Sequence, residues 1–214
     1  MKSRFSAVIF DLDGVICSTD GFHYRAWKTV ADRLGVPFDE ERNDLLRGVG
    51  RMESLEIILQ KSPRTFTDEE KTAIAEEKNA LYREMLAALS PADLSADVRR
   101  TLEVLRQAGL LLAIGSSSRN APFILGRLGL GGFFDAVADG SQITRPKPDP
   151  EVFLLAAALL GVSPAEAVVV EDAHAGVAAA AAGGFSAAAI GDAVDDPRAA
   201  WHLKRLSELI GILT

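Results

Sequence analysis

Ala7-Val8-Ile9-Phe10-Asp11-Leu12-Asp13-Gly14-Val15 (residues 7–15) is an apolar run of four residues that stops at two aspartates and a glycine. A run this short, bounded by polar residues and glycine, reads as a strand buried on both faces, as in a parallel sheet. The same pattern returns twice. Leu111-Leu112-Ala113-Ile114 leads into Gly115-Ser116-Ser117-Ser118, and Val168-Val169-Val170 leads into Glu171-Asp172.

Helical patterns lie around the second and third runs. Val98, Leu102 and Leu105 keep helical spacing and stop at Gly109. Asn120 before Pro122 marks another start, and Asp149-Pro150 opens a helix that Gly161 closes. Ser163 and Glu166 form a capping box ahead of the Val168 run, and a small-sided helix runs from Ala175 to Ala182. Strands alternating with helices predict an α/β fold with a doubly wound, Rossmann-like parallel sheet.

Residues 16–90 break the rhythm. Phe22, Ala26, Trp27, Val30 and Leu34 form one helical face ending at Gly35; Arg51 to Gln60 predicts a second helix and Asp68 to Leu89 a long third. No strand pattern interrupts them, and Ser90-Pro91 marks the return to the sheet. The expected organisation is an α/β core of residues 1–15 and 91–214 with an inserted α-helical domain over 16–90.

Composition sets outer limits. With 214 residues, 48% hydrophobic and 25% charged, the chain can bury a globular core. The formal charge of -7 argues against a protein built to grip nucleic acid. Cys17 is the single cysteine, so no internal disulfide forms, and it reads as a small buried hydrophobe. No stretch approaches the ~20 apolar residues of a membrane span, and the run before Asp11 is too short for a signal-peptide core. A cytoplasmic location and no membrane partner are expected.

In open α/β sheets ligands bind beyond the carboxyl ends of the strands. All three apolar runs deliver reactive groups there: Asp11 and Asp13, then Ser116 and Ser118, then Glu171 and Asp172. On extended chain, Asp11 and Asp13 face one side while Leu12 turns into the core. Four carboxylates at one edge repel unless a cation neutralises them, and hard oxygen donors without histidine or thiolate point to Mg²⁺. With 16 aspartates in the chain, one aspartate pair spaced by two is expected roughly once by chance. The ordered set of Asp11-Leu12-Asp13-Gly14-Val15, Gly115-Ser116-Ser117, Lys147-Pro148 and Glu171-Asp172, each at a plausible βα spacing, is far more specific.

This set resembles the haloacid dehalogenase superfamily of phosphotransferases over essentially the whole chain. Asp11-Leu12-Asp13-Gly14-Val15 matches its first motif, Ser116 the second, Lys147 the third and Glu171-Asp172 the fourth. Within the superfamily the chain is most similar to the β-phosphoglucomutases, on His23, Trp27, Gly48-Val49-Gly50-Arg51, Lys78-Asn79 and Ser116 through Pro122. The resemblance implies that the helical insertion is a mobile cap, with Thr19 near its hinge. It implies Mg²⁺ held by Asp11, the Asp13 carbonyl and Asp172, with Glu171 as ligand or outer partner. It implies exchange between β-glucose 1-phosphate and glucose 6-phosphate, with Asp11 as nucleophile and Asp13 as general acid and base.

Mg²⁺, Lys147 and the Ser116 hydroxyl would offset charge on the transferring phosphoryl group. A mutase also needs a second anion site, for which Arg51, Ser118, Arg119 and Asn120 are the candidates. Two positions depart from the family pattern: Arg119 replaces a commoner lysine, and Ser18 a commoner acid.

Plainer readings stand beside these. Trp27 also fits a purely core role and His23 a structural one. Lys78 sits among Glu76 and Glu77 as on a solvated face, and Arg51 also fits a simple helix start. His174 and His202 are expected at the surface without partners. A hexose-phosphate phosphatase on the same scaffold shares every core motif, and a non-catalytic binding protein would be marked by a lost motif residue. The expected partner is a small phosphosugar, and a closing cap is compatible with the monomer expected here.

Overall fold

The computed structural model describes residues 5–46 and 49–214. Among these, the chain runs β1 (Ala7–Phe10), α1 (Asp20–Leu34), α2 (Glu40–Asp44), α3 (Arg51–Leu59) and α4 (Asp68–Leu86). It continues through α5 (Ala96–Gln107), β2 (Leu111–Gly115), α6 (Ala121–Arg127), β3 (Ala136–Ala138) and α7 (Glu151–Leu160). It closes with β4 (Ala167–Glu171), α8 (His174–Ala182), β5 (Ser186–Ala189), β6 (Trp201–His202) and α9 (Glu208–Leu213).

The strands form one parallel sheet in the order β3-β2-β1-β4-β5-β6. β1 lies at the centre, with Phe10 level with Ile114 of β2 and Val170 of β4. Alternate residues serve opposite faces. Val8, Phe10, Leu112, Ile114, Val168 and Val170 join α5, α6 and α9 on one side, while Ala7, Ile9, Ala113 and Val169 join α7 and α8 on the other. Burial on both faces explains the unbroken apolar runs. The expected doubly wound α/β sheet is present, with helices inserted after β1.

Three strands escaped the sequence reading. β3, β5 and β6 are short, and β3 and β5 are rich in alanine, which has little intrinsic preference for strand. α2 was also missed; it is a single turn capped by Asp39, whose carboxylate accepts from Arg42 N at 2.9 Å. The long helix expected from Asp68 to Leu89 is α4, which ends at Leu86. Arg127 of α6 reaches across to the carbonyls of Ala87 and Leu89, so the chain turns back toward the sheet there. α7 opens at Glu151 rather than Pro150, and the Asp149 carboxylate accepts from Glu151 N at 3.0 Å.

Within the insertion, Trp27, Val30 and Ala31 of α1 pack with Leu55 and Ile58 of α3 and Ile74 and Ala75 of α4 as a separate apolar cluster. Farther along α4, Tyr82 and Leu86 instead join the cluster of the sheet. No helix among the described residues is long and apolar enough to cross a membrane.

Candidate active site

The strand order reverses about β1 and β4, and in such sheets a crevice opens beyond the strand ends at that point. Asp11 follows β1 and is nearly buried, with Leu12 fully buried behind it. Lys147, on the loop before α7, enters the same crevice and is itself buried. Its ammonium donates to Asp11 Oδ1 and to Glu171 Oε1. Burial alone would lower the Lys147 pKa, but the Asp11 and Glu171 carboxylates hold it above the usual lysine range. Burial pushes Asp11 up to about 7 despite Lys147, with Glu171 adding repulsion. Asp172 is pushed up to about 8 by burial and by the Asp11 and Glu171 charges.

Glu171 is spoken for. One oxygen takes Lys147 and the other accepts from Ala173 N at 2.9 Å. It is seated against Gly176 of α8, where a Cβ would lie 1.9 Å from its carboxyl carbon. Asp172 leans in turn on Gly14, whose φ of +87° suits glycine and where a Cβ would lie 1.9 Å from Asp172 Oδ2.

These oxygen donors fit Mg²⁺. Among the described residues no three acidic, His or Cys side chains form a complete cage. Mg²⁺ does not need one, since it keeps several waters and typically takes one or two carboxylates plus substrate phosphate. Asp11, lifted in pKa by burial and the Glu171 charge, and Asp172, lifted by burial and the Asp11 and Glu171 charges, are the pair a divalent cation would relieve.

Asp13 faces the insertion. Thr19 N donates to its Oδ1 at 2.6 Å and Thr19 Oγ1 to its Oδ2 at 2.5 Å. The Thr19 hydroxyl also meets the Tyr82 hydroxyl at 2.6 Å. Burial raises the Asp13 pKa to about 6, against the pull of the Thr19 hydrogen bonds. His23 Nε2 lies 3.5 Å from Asp13 Oδ2, and Lys78 Nζ lies 2.7 Å from His23 Nδ1. With Lys78 donating to Nδ1, the ring proton sits on Nε2 and faces Asp13. Burial and the Lys78 and Arg51 charges hold His23 well below its usual range, so the ring is neutral.

Lys78 is therefore not on a solvated face. It is 2% exposed, 4.9 Å from the centre of the Trp27 ring and 4.6 Å from that of Tyr82. Burial, with the Arg51 charge beside it, lowers its pKa to about 7. The run Glu76-Glu77-Lys78 misleads because successive helical residues face different directions.

In the loop after β2, the strand paired with β1, Ser116 Oγ accepts from Ser118 N at 3.1 Å and Ser118 Oγ from Asn120 N at 3.2 Å, two linked turns that shape this side of the crevice. Asn79 Oδ1 of α4 accepts from Arg51 Nη2 at 2.8 Å and from Asn120 Nδ2 at 2.9 Å. It thus joins the insertion to the sheet. Arg119 is exposed and donates through Nε to the Gly140 carbonyl at 3.2 Å. Arg51 and Arg119 both line the cleft, and burial and then the Arg119 charge lower the Arg51 pKa.

The open cleft between sheet and insertion has a volume of about 490 Å³. Every site residue expected from sequence and described by the structure lines it except Thr19, which lies buried behind Asp13. Gly48 lies outside the described residues. Tyr82 and the bridging role of Asn79 were missed. The available signal was their place on α4 beside Lys78, with Tyr82 one turn further on. Trp27 serves both roles foreseen for it, packing in the insertion's core and lining the cleft. Cys17 is half-buried, and burial with the nearby Asp13 and Asp11 charges pushes its thiol pKa up, which keeps it unreactive.

A family model described as haloacid dehalogenase-like hydrolase matches residues 5–184. The chain is 42% identical over 187 residues to a β-phosphoglucomutase of Bacillus subtilis, covering 86% of this chain and 83% of that one. It is 34% identical over 188 residues to a fructose-1-phosphate phosphatase of Escherichia coli, covering 87% and 97%. A crystal structure of β-phosphoglucomutase from Clostridium difficile superposes with a TM-score of 0.90 at 34% identity, covering 96% of this chain and 93% of that one. With a family match over most of its length and these relatives, the chain belongs to the haloacid dehalogenase-like hydrolases.

Proposed function

We propose that this member of the family is a Mg²⁺-dependent phosphosugar mutase that interconverts β-D-glucose 1-phosphate and glucose 6-phosphate. It acts through an aspartyl-phosphate on Asp11 and a bisphosphorylated sugar. The observation that carries this reading is the second cationic end of the cleft. Arg51 and Arg119 face it together, and Asn79 ties Arg51 to the loop of the sheet. Two guanidiniums repelling each other in one pocket are best satisfied by an anion between them, such as the phosphate that stays on the sugar. The B. subtilis and C. difficile relatives add support.

In the proposed reaction a carboxylate oxygen of Asp11 attacks phosphorus, and the bond from phosphorus to the sugar oxygen breaks. Asp13 gives its proton to that leaving oxygen. In the reverse transfer Asp13 takes the proton of the accepting hydroxyl as that oxygen attacks the aspartyl-phosphate. A pKa near 6 suits a group that must hold and release a proton in alternation. Thr19 and His23 hold its carboxylate toward the cleft, and Lys147 and the Ser116 hydroxyl meet charge on the transferring phosphoryl oxygens. Mg²⁺, held by Asp11, Asp172 and the Asp13 carbonyl with Glu171 as outer partner, would supply further charge neutralisation there. Residues 16–90 act as the cap that keeps water from the aspartyl-phosphate, over a core of 1–15 and 91–214. His23, Trp27 and Lys78, which line the cleft beside Asp13, enclose the sugar.

A phosphatase is the second reading, favoured by the similarity to the E. coli fructose-1-phosphate phosphatase. One incubation separates them: the protein with β-glucose 1-phosphate, Mg²⁺ and a trace of glucose bisphosphate. Glucose 6-phosphate accumulating faster than inorganic phosphate is the expected result. Inorganic phosphate without glucose 6-phosphate would replace the mutase by the hydrolase.

A further inference from the structure

α8 starts at His174, two residues beyond Asp172, and the loop after β5 folds back over this start. At the centre of the fold-back is Asp196, 1% exposed. Its carboxylate accepts from Arg198 N at 3.0 Å, Arg198 Nε at 2.8 Å, Arg198 Nη2 at 2.5 Å and His174 Nδ1 at 2.7 Å. Arg198 Nη2 also donates to the His174 carbonyl at 3.1 Å. A buried carboxylate met by this many donors is held in one geometry. The sequence reading placed His174 at the surface without partners. It is exposed on one side and engaged by Asp196 on the other, and His202 donates to the Val194 carbonyl at 2.6 Å.

The same loop reaches Asp172. Asp196 N donates to the Ala193 carbonyl at 2.9 Å, and Ala193 N donates to the Asp172 carbonyl at 2.8 Å. Gly191 passes close enough that a Cβ there would lie 3.3 Å from Asp172 Cβ. Asp172 is therefore pressed between this loop and Gly14. His174, Asp196 and Arg198 lie behind it, outside the lining of the cleft.

We propose that Asp196 is a positioning residue for the cation site: with His174 and Arg198 it clamps the loop after β5 to the first turn of α8 and so fixes the backbone that carries Asp172. This rests on the reading that Asp172 holds a divalent cation. Outer partners of metal-bound carboxylates are commonly worth ~10–100-fold in metal affinity.

The test titrates Mn²⁺, a paramagnetic substitute for Mg²⁺, into the full-length protein without substrate. Free Mn²⁺ is read by electron paramagnetic resonance, and thermal unfolding of each variant is followed beside it. Asp196→Ala should weaken Mn²⁺ binding about tenfold, the lower end of that range. Asp196→Asn, which keeps an acceptor oxygen, should recover part of the loss. A residue that only stabilised the fold would shift the unfolding temperature and leave the affinity of the folded protein unchanged. If Asp172→Asn abolishes binding while Asp196→Ala binds as the wild type does, the clamp is overturned and the cation reading stands. If Asp172→Asn binds as tightly as the wild type, the cation reading itself falls. Should Asp196→Ala fail to fold, Arg198→Ala decides, and unchanged Mn²⁺ affinity in that variant overturns the proposal.

Discussion

Asp11 and Asp13 are two residues apart, yet their surroundings assign them different work. Asp11 meets a buried ammonium, whereas Asp13 meets a hydroxyl, a backbone N–H and a neutral imidazole. A carboxylate among neutral donors can be protonated without breaking an ion pair, which is what proton transfer to a leaving oxygen requires. Asp13→Ala is expected to slow phosphoryl transfer to a sugar hydroxyl by ~10²–10⁴-fold. A change of less than about threefold in that assay would move the proton transfer to another group. Asp13 and its neighbours were readable because they follow the strand end directly. Tyr82, on which the Thr19 hydroxyl rests, is 63 residues away from Thr19 and announces itself by no motif.

At the scale of elements, α4 and α8 do the positioning. α4 buries Lys78 with a pKa near 7, so above that pH the folded chain holds it neutral while the unfolded chain keeps its ammonium up to about 10.5. Between these values the unfolded state binds more protons, and this residue's contribution to stability rises with pH. Wild-type protein should therefore gain stability relative to Lys78→Met as urea unfolding is repeated from pH 7 to pH 10. A difference that stays flat would mean that the ammonium is solvated in the folded state. On α8, Gly176 leaves room for Glu171. Alanine is normally the better helix former by ~1 kcal/mol, but here Gly176→Ala should lower the melting temperature, because its methyl displaces the carboxylate that holds Lys147. Phosphoryl transfer should fall with it. A variant that melts higher with full activity would contradict the packing described.

For the molecule as a whole, the cleft is made by two bodies of chain that meet only on folding. Arg51 comes from the insertion and Arg119 and Asn120 from the loop after β2, with Asn79 between them. A reaction that needs a distal anion site depends on this junction, and hydrolysis of a small phosphate ester does not. Arg51→Ala should reduce glucose 1-phosphate isomerisation at least tenfold more than hydrolysis of a small aryl phosphate, about the worth of one charge-assisted hydrogen bond. Equal losses in the two assays would remove Arg51 from phosphate binding.

The sequence by itself determined the sheet's central strands and the groups at their ends. A strand buried on both faces must be an unbroken apolar run, and the polar residues that end it mark the crevice. Tertiary structure alone decided three things: the strands β3, β5 and β6, the burial of Lys78 beside His23, and the fold-back of Asp196 onto His174. The alanine-rich β3 and β5 carry too little β preference and β6 is too short, at two residues, to be seen locally; they pair because their neighbours offer free backbone groups. Lys78 and His23 are 55 residues apart, and Asp196 and His174 are 22 apart. Their pairings follow from how α1, α4 and the loop after β5 pack, and no local spacing encodes that packing.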